Sequence, residues 1–102
     1  MAYKLITLKA AAEDVSEAYN YYEKIQKGLG DRFLGEVLDR YNEISKHPQY
    51  YGFIDKQHII RDVMLKNFPY QIVYEIEDDT VIIYSVHCGY KHPGKRFRND
   101  IG

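Results

Sequence analysis

The chain has few of the residues that build covalent or metal-centred sites. Cys88 is its only cysteine, which excludes an internal disulfide and favours a cytoplasmic setting. No stretch approaches the roughly 20 apolar residues of a membrane span, and the apolar run at residues 5–8 is too short for a signal peptide. Phosphate-binding glycine loops, paired His/Cys spacings and serine nucleophile elbows are also missing. The sequence therefore predicts no metal and no cofactor.

Length and charge predict one globular domain. The 102 residues leave no room for a second core, and we assign residues 1–102 to a single domain with a basic C-terminal tail at 93–102. A formal net charge of -1 excludes a polycation that coats nucleic acid, although it leaves room for a local basic patch.

Hydrophobic periodicity predicts the order strand, helix, helix, strand, strand, strand. Residues 3–8 alternate weakly, and apolar side chains then recur every three or four residues over 10–27 and again to about residue 46. Gly28 ends the first helix and Asp31 is expected to cap the second. Segments 58–66, 68–77 and 81–88 are typical of strands. We predict an α+β fold, β-α-α-β-β-β, with a helical hairpin packed on one face of a small, mainly antiparallel sheet.

The last part of the chain is a concentrated basic segment. Residues 87–98 contain two histidines, four Lys or Arg and no acidic residue. The segment is either a solvated tail or an anion-binding surface for phosphate or an acidic peptide. Tyr90 and Phe97 lie among the charges, an arrangement that suits stacking on bases.

Two residues of the predicted strands invite a functional interpretation. His87 closes the last strand in phase with Val81, Ile83 and Ser85, and is either a proton shuttle or a hydrogen-bonded structural residue. Arg61 lies among apolar strand residues and therefore needs a partner, which is either a carboxylate elsewhere in the chain or an external phosphate or peptide.

Nine of the eleven tyrosines fall into two groups. Four follow the helical or strand periodicity and are predicted to lie in the core: Tyr22, Tyr41, Tyr70 and Tyr74. Five have no such periodic role, and large amphipathic side chains of this kind are common at protein interfaces: Tyr19, Tyr21, Tyr50, Tyr51 and Tyr90.

An ordered set of residues matches one protein family. The set comprises Asp14-Val15-x-x-Ala18 with Tyr21-Tyr22, Gly28-Leu29-Gly30-x-x-Phe33, Arg61 before Phe68-Pro69-Tyr70-x-Ile72-x-Tyr74, and a histidine before a basic, proline-containing tail. Over residues 3–97 the chain resembles the RelE/ParE superfamily, the toxins of bacterial type II toxin–antitoxin modules.

The resemblance implies a small bacterial cytoplasmic toxin that a co-encoded antitoxin neutralises. An extended antitoxin segment would wrap the helical hairpin and sheet. Such a segment loses conformational entropy when it becomes ordered, and the large surface that it buries compensates for that loss. We assign antitoxin binding to four of the unexplained tyrosines: Tyr19, Tyr21, Tyr50 and Tyr51. A homodimer and a toxin–antitoxin hetero-oligomer are both open.

The family divides by target, and its RelE-like members cut messenger RNA on the ribosome without metal. RelE places basic side chains on its second strand and an arginine after the tyrosine of its third. The matching positions here read Asp62, Met64 and Gln71. An aspartate at a phosphate-binding position would repel the substrate, so an endonuclease is the alternative interpretation. It would use three residues near the C-terminus: His87, Tyr90 and Arg96.

ParE-like members instead bind and poison DNA gyrase, and Arg61 with the tail histidine fits that branch better. The expected function is therefore growth inhibition by binding a macromolecular target, with gyrase preferred over the ribosome. The residues expected to bind the target are Arg61, His87, Tyr90, Lys91, Lys95 and Arg96. A degenerate member that binds its antitoxin and poisons nothing is a third possibility.

Overall fold

The computed structural model describes residues 2–88. In chain order its elements are β1 (Lys4–Thr7), α1 (Lys9–Ile25), α2 (Leu29–Lys46), a short 3-10 helix (Pro48–Tyr50), β2 (Ile60–Met64), β3 (Tyr70–Glu77) and β4 (Thr80–Cys88). Neither helix in this part of the chain is long and apolar enough to cross a bilayer.

The four strands form one mixed sheet in the order β1-β4-β3-β2. β2, β3 and β4 pair antiparallel, whereas β1 pairs parallel to β4, with Lys4 opposite Thr80 and Thr7 opposite Ile83. The helical hairpin covers one face, as predicted, and the α+β fold class is confirmed. β4, the last strand along the chain, therefore lies inside the sheet, between β1 and β3.

The core lies between the helical hairpin and the covered face of the sheet. Its buried side chains come from both helices and from β2, β3 and β4, and include Ala11, Ala18, Phe33, Val37, Ile44, Val63, Ile72, Tyr74, Val81, Ile83 and Val86. Tyr74 is fully buried, and its hydroxyl donates to the Pro48 carbonyl oxygen at 2.7 Å. Tyr22, Tyr41 and Tyr70 pack against this core, so the prediction for all four periodic tyrosines is confirmed.

A carboxylate from α1 caps the N-terminus of α2. Gly28 adopts a left-handed backbone (φ 91°), and the Glu23 carboxylate accepts from the Gly28 and Gly30 amides at 2.8 and 2.9 Å. The prediction that Asp31 caps α2 is wrong, because the glycine turn starts the helix at Leu29. Asp31 lies inside the first turn, where it suits the positive end of the helix dipole.

A β-bulge in β4 changes which face its last residues occupy. Val73 pairs with Ser85 but Tyr74 pairs with Ile83, so Tyr84 is an extra residue in β4. Val81, Ile83 and Val86 are buried on the covered face, whereas His87 alternates with Val86 and lies on the other face. The prediction that His87 is in phase with Val81 and Ile83 is therefore wrong.

Candidate functional site

The sheet face turned away from the helices, here called the open face, carries a polar group at the C-terminal end of β4. Gln71 pairs with His87 across β3 and β4, and its amide donates to the Asp62 carboxylate at 3.0 Å. The His87 ring nitrogen Nδ1 lies 3.0 Å from the Ser85 hydroxyl oxygen. Asp62, Met64 and Gln71, the positions that the resemblance matched to basic side chains, thus hold a carboxylate, a thioether and an amide, and the first and last of these are hydrogen-bonded to each other.

Carboxylates flank His87 on two sides. Burial raises the pKa of Asp62, and His87 opposes that shift. On the side of α1, burial raises the pKa of Asp14, against the effects of the Val86 amide and His87. The Asp14 carboxylate accepts from that amide at 3.0 Å. Carboxylates on two sides of His87 disfavour the approach of a phosphate group to its ring.

Arg61 is bound within the chain. Its guanidinium Nη1 donates to the carbonyl oxygens of Tyr51 and Gln49, at 2.6 and 3.2 Å, and its Cζ lies 3.9 Å from the centre of the Phe53 ring. Carbonyls and a ring thus fill the role that the sequence interpretation gave to a carboxylate or an external ligand. Arg61 holds the segment that follows α2 against β2, and its role in target binding stays a prediction.

The segment held by Arg61 displays large apolar side chains to solvent. Residues 50–59, here called the apolar loop, include Tyr50, Phe53, Ile54 and Ile59, and the Tyr50 side chain is 81% exposed. The loop is ordered by its own bonds, because Asp55 accepts from the amides of Ile59 and Ile60 and the Ile54 amide donates to Ile60. An exposed apolar cluster on an ordered loop is typical of a protein interface. Its signal in the sequence was the density of aromatic and branched residues without periodicity.

The four tyrosines predicted to bind an antitoxin lie in two regions. Tyr21, 58% exposed, is beside the end of β4, and Tyr50 follows α2 at the apolar loop. The other two are partly buried and use their hydroxyls internally, Tyr19 donating to Asp31 and Tyr51 to Glu43, each at 3.0 Å. Tyr21 and Tyr50 therefore offer the larger free surfaces.

The predicted target-binding residues of the tail, Tyr90, Lys91, Lys95 and Arg96, lie outside the described residues. Within residues 2–88 no three His, Cys, Asp or Glu side chains are grouped as a metal ion would require. Within residues 2–88 the candidate site has three parts: the polar side chains around His87 on the open face, the groove lined by α1 and the end of β4, and the apolar loop.

No protein-family model and no curated protein sequence matches this chain. Solved structures do. The chromosomal ParDE toxin–antitoxin system from P. aeruginosa aligns over 87% of this chain and 98% of its own, with a TM-score of 0.73 and 14% identity. The RelBE2 toxin–antitoxin complex from Mycobacterium tuberculosis covers 88% and 95%, with a TM-score of 0.62 and 20% identity. A mutant E. coli toxin RelE in the free state covers 85% and 83%, with a TM-score of 0.58 and 18% identity.

Proposed function

Because the chain has the fold of the RelE/ParE toxins, we propose that it is the toxin of a type II toxin–antitoxin module, acting in the cytoplasm and neutralised by a cognate antitoxin. Its likeness to both a ParDE system and a RelBE2 complex supports the antitoxin partner. The exposed rings of Tyr21 and Tyr50 supply apolar surface of the kind that such a partner would bury.

We propose further that the toxin acts by binding a macromolecular target, with DNA gyrase as in ParE-like members. The observation that carries this choice is the pair formed by Asp62 and Gln71. These residues stand where a RelE-like nuclease needs cations to stabilise the charge of the cleaved phosphate. A carboxylate held there by an amide would instead repel the substrate, whatever the tail supplies.

The binding surface for the target would combine the tail with its surroundings. His87 faces the same side of the sheet as Asp62, and the tail continues directly from β4 with Tyr90, Lys91, Lys95 and Arg96. Arg61 would contribute indirectly, by holding the apolar loop in place.

The test is induced expression in a bacterial host without the antitoxin, with RNA 5′ ends mapped beside the recovery of covalent gyrase–DNA complexes. Intact messages with trapped gyrase support the proposal. Codon-phased breaks in translated messages would overturn the choice of target and make His87, Tyr90 and Arg96 catalytic candidates. Normal growth at verified expression would leave the third interpretation, a chain that poisons nothing.

A matched pair of histidine variants sharpens the result. His87→Gln removes the ring from the open face, whereas His47→Gln changes an exposed histidine at the end of α2. We expect growth inhibition to fall for the first variant and to stay at the wild-type level for the second. Circular dichroism on both variants checks that the fold is retained.

A further inference from the structure

The open face of the sheet carries an apolar row that no helix of residues 2–88 covers. Cross-strand neighbours share a face, so the register places Ile6, Ile82, Glu75 and Ile60 in one row across all four strands. Ile6 is 50% exposed, and the other two isoleucines are partly exposed. Both helices pack on the opposite face. A segment that covered this row would therefore gain free energy by removing apolar surface from water.

The same face is acidic along β3. Glu75 and Glu77 occupy alternate positions of this strand, and the Glu75 carboxylate accepts a hydrogen bond from the Tyr84 hydroxyl. Among residues 2–88 the one ion pair between side chains lies on α2. Lys4, at the outer edge of β1, is the one Lys or Arg at an open-face position of the four described strands. The face is therefore suited to a segment that is both basic and apolar.

The charges of the chain divide unevenly between its described part and the residues that follow. Residues 2–88 carry fourteen Asp and Glu against ten Lys and Arg, a net charge of -4. Residues 89–102 carry four Lys and Arg against one Asp, a net charge of +3, and include Tyr90 and Phe97. The chain's own last residues thus have the composition that complements the open face.

The distance from the end of β4 to these carboxylates is within reach of the tail. Glu75 lies opposite Ile82, which is six residues before Cys88, so the two ends are about 20 Å apart along the strand. Arg96 is eight residues after Cys88, and an extended segment of that length spans at most about 26–29 Å. The difference leaves enough chain for the reversal of direction after β4.

We propose that, in the unbound chain, residues 89–98 fold back across the open face and pair their Lys and Arg side chains with Glu75 and Glu77. The aromatic side chains of the segment cover the apolar row. The tail residues expected to bind the target are then held by the chain itself until the target displaces them. This consequence rests on the proposed function, whereas the contact between tail and sheet does not.

A carbodiimide cross-link tests the contact in the full-length chain. The reagent condenses a lysine amine with a carboxylate that touches it, releasing water and adding no spacer. We expect mass spectrometry to find Lys95 joined to Glu75 or Glu77, and to find both residues in the same molecule when isotope-labelled and unlabelled protein are mixed. A product that joins labelled to unlabelled chains would assign the tail to a second copy. Either that result or the absence of any product between Lys95 and the open face overturns the proposal.

Charge-neutral variants give a second measurement. Glu75→Gln with Glu77→Gln removes two charges from the open face and keeps an oxygen for the Tyr84 hydroxyl. The matched control combines Glu13→Gln on α1 with Asp39→Asn on α2, both at exposed positions. Trypsin cuts after Lys and Arg, so its rate of removing the tail from the folded chain reports how often the tail leaves the sheet. We expect that rate to rise about three- to tenfold in the open-face variant and to stay near the wild-type rate in the control.

The outcomes separate the docked tail from the toxin function. Growth arrest without the cross-link, or with equal cleavage of both double variants, overturns the docked tail and leaves the function standing. A cross-linked chain that arrests no host keeps the contact and overturns the function. If both hold, the open-face variant should arrest growth at about threefold lower expression than the control, because more of its tail is free to bind the target. Equal doses would overturn the control of target binding by the tail.

Discussion

Replacing Arg61 with alanine is expected to lower the free energy of unfolding by about 2–4 kcal/mol. The guanidinium makes two hydrogen bonds to backbone carbonyls, and each bond from a charged donor contributes about 1.5–3 kcal/mol. Two such bonds would contribute about 3–6 kcal/mol if both were buried. The bond to Gln49 is long, at 3.2 Å, and Arg61 is partly exposed, so the expected total, including the contribution of the Phe53 ring, is reduced to about 2–4 kcal/mol. The ring of Phe53 adds about 0.5–1 kcal/mol.

The measurement is urea unfolding together with amide exchange at Ile54, whose amide bonds to Ile60 only while the apolar loop is held against β2. Exchange at Ile54 should quicken in Arg61→Ala. Arg61→Lys should recover about half of the loss, since one ammonium lacks the planar fork that reaches both carbonyls and stacks on the ring. Arg32→Ala, an exposed arginine on α2, is the matched control and should stay within about 0.5 kcal/mol of wild type.

The reasoning would be refuted by an Arg61→Ala variant that loses less than about 1 kcal/mol and exchanges normally at Ile54. If that variant were also non-toxic, Arg61 would touch the target directly. A companion variant, Tyr50→Ala, removes an 81% exposed ring whose edge-on contact is with Tyr51, and should lower the free energy of unfolding by no more than about 1 kcal/mol. Loss of toxicity in Tyr50→Ala would show that the loop itself meets the target.

Three further predictions concern the framework around the site. Glu23→Ala should lower the free energy of unfolding in urea by about 2–4 kcal/mol, because the amides of Gly28 and Gly30 at the start of α2 lose their carboxylate acceptor. Glu23→Gln should cost roughly half as much. Equal stability of Glu23→Ala and wild type would contradict this reasoning. Tyr74→Phe should cost about 1–3 kcal/mol by leaving the Pro48 carbonyl without its buried donor, and a loss below 0.5 kcal/mol would argue against that bond. Burial raises the pKa of Tyr74 to about 12, so the folded state holds this proton more tightly than the unfolded state does. Stability should therefore fall between about pH 10 and 12, and Tyr74 should contribute up to about 1.4 kcal/mol per pH unit to that fall, with Tyr41 and Tyr70 adding to it. Tyr74→Phe should show a shallower fall in the same titration.

The fold was accessible from the sequence because each element carries a strong period. The α2 stripe of Phe33, Val37 and Ile44 and the strand alternation around Ile72 and Tyr74 are buried as predicted. What periodicity could not supply was the parallel pairing of β1 with β4, since it joins segments separated by most of the chain. The cap of α2 was missed for a related reason, because its acceptor, Glu23, comes from the other helix.

The site was harder to predict, and His87 shows why. A strict alternation assigns it to the same face as Val81, but the single extra residue Tyr84 reverses the assignment for everything after it. A bulge depends on how two strands fit together, which no local pattern records. Arg61 was correctly identified as needing a partner, yet its partners are carbonyls, and backbone groups leave no trace in residue type. The predicted antitoxin and target contacts stay predictions.

The central position of β4 has a consequence for when the chain can fold during its synthesis. Residues 80–88 are the last to be made of the described chain, and they alone connect β1 to β3. A nascent chain that stops at Glu77 therefore has β1 with no strand beside it, and the helices have no central strand to pack on. Folding of the sheet must therefore wait until β4 has been synthesised, so products truncated before residue 80 are expected to be unfolded and open to proteases.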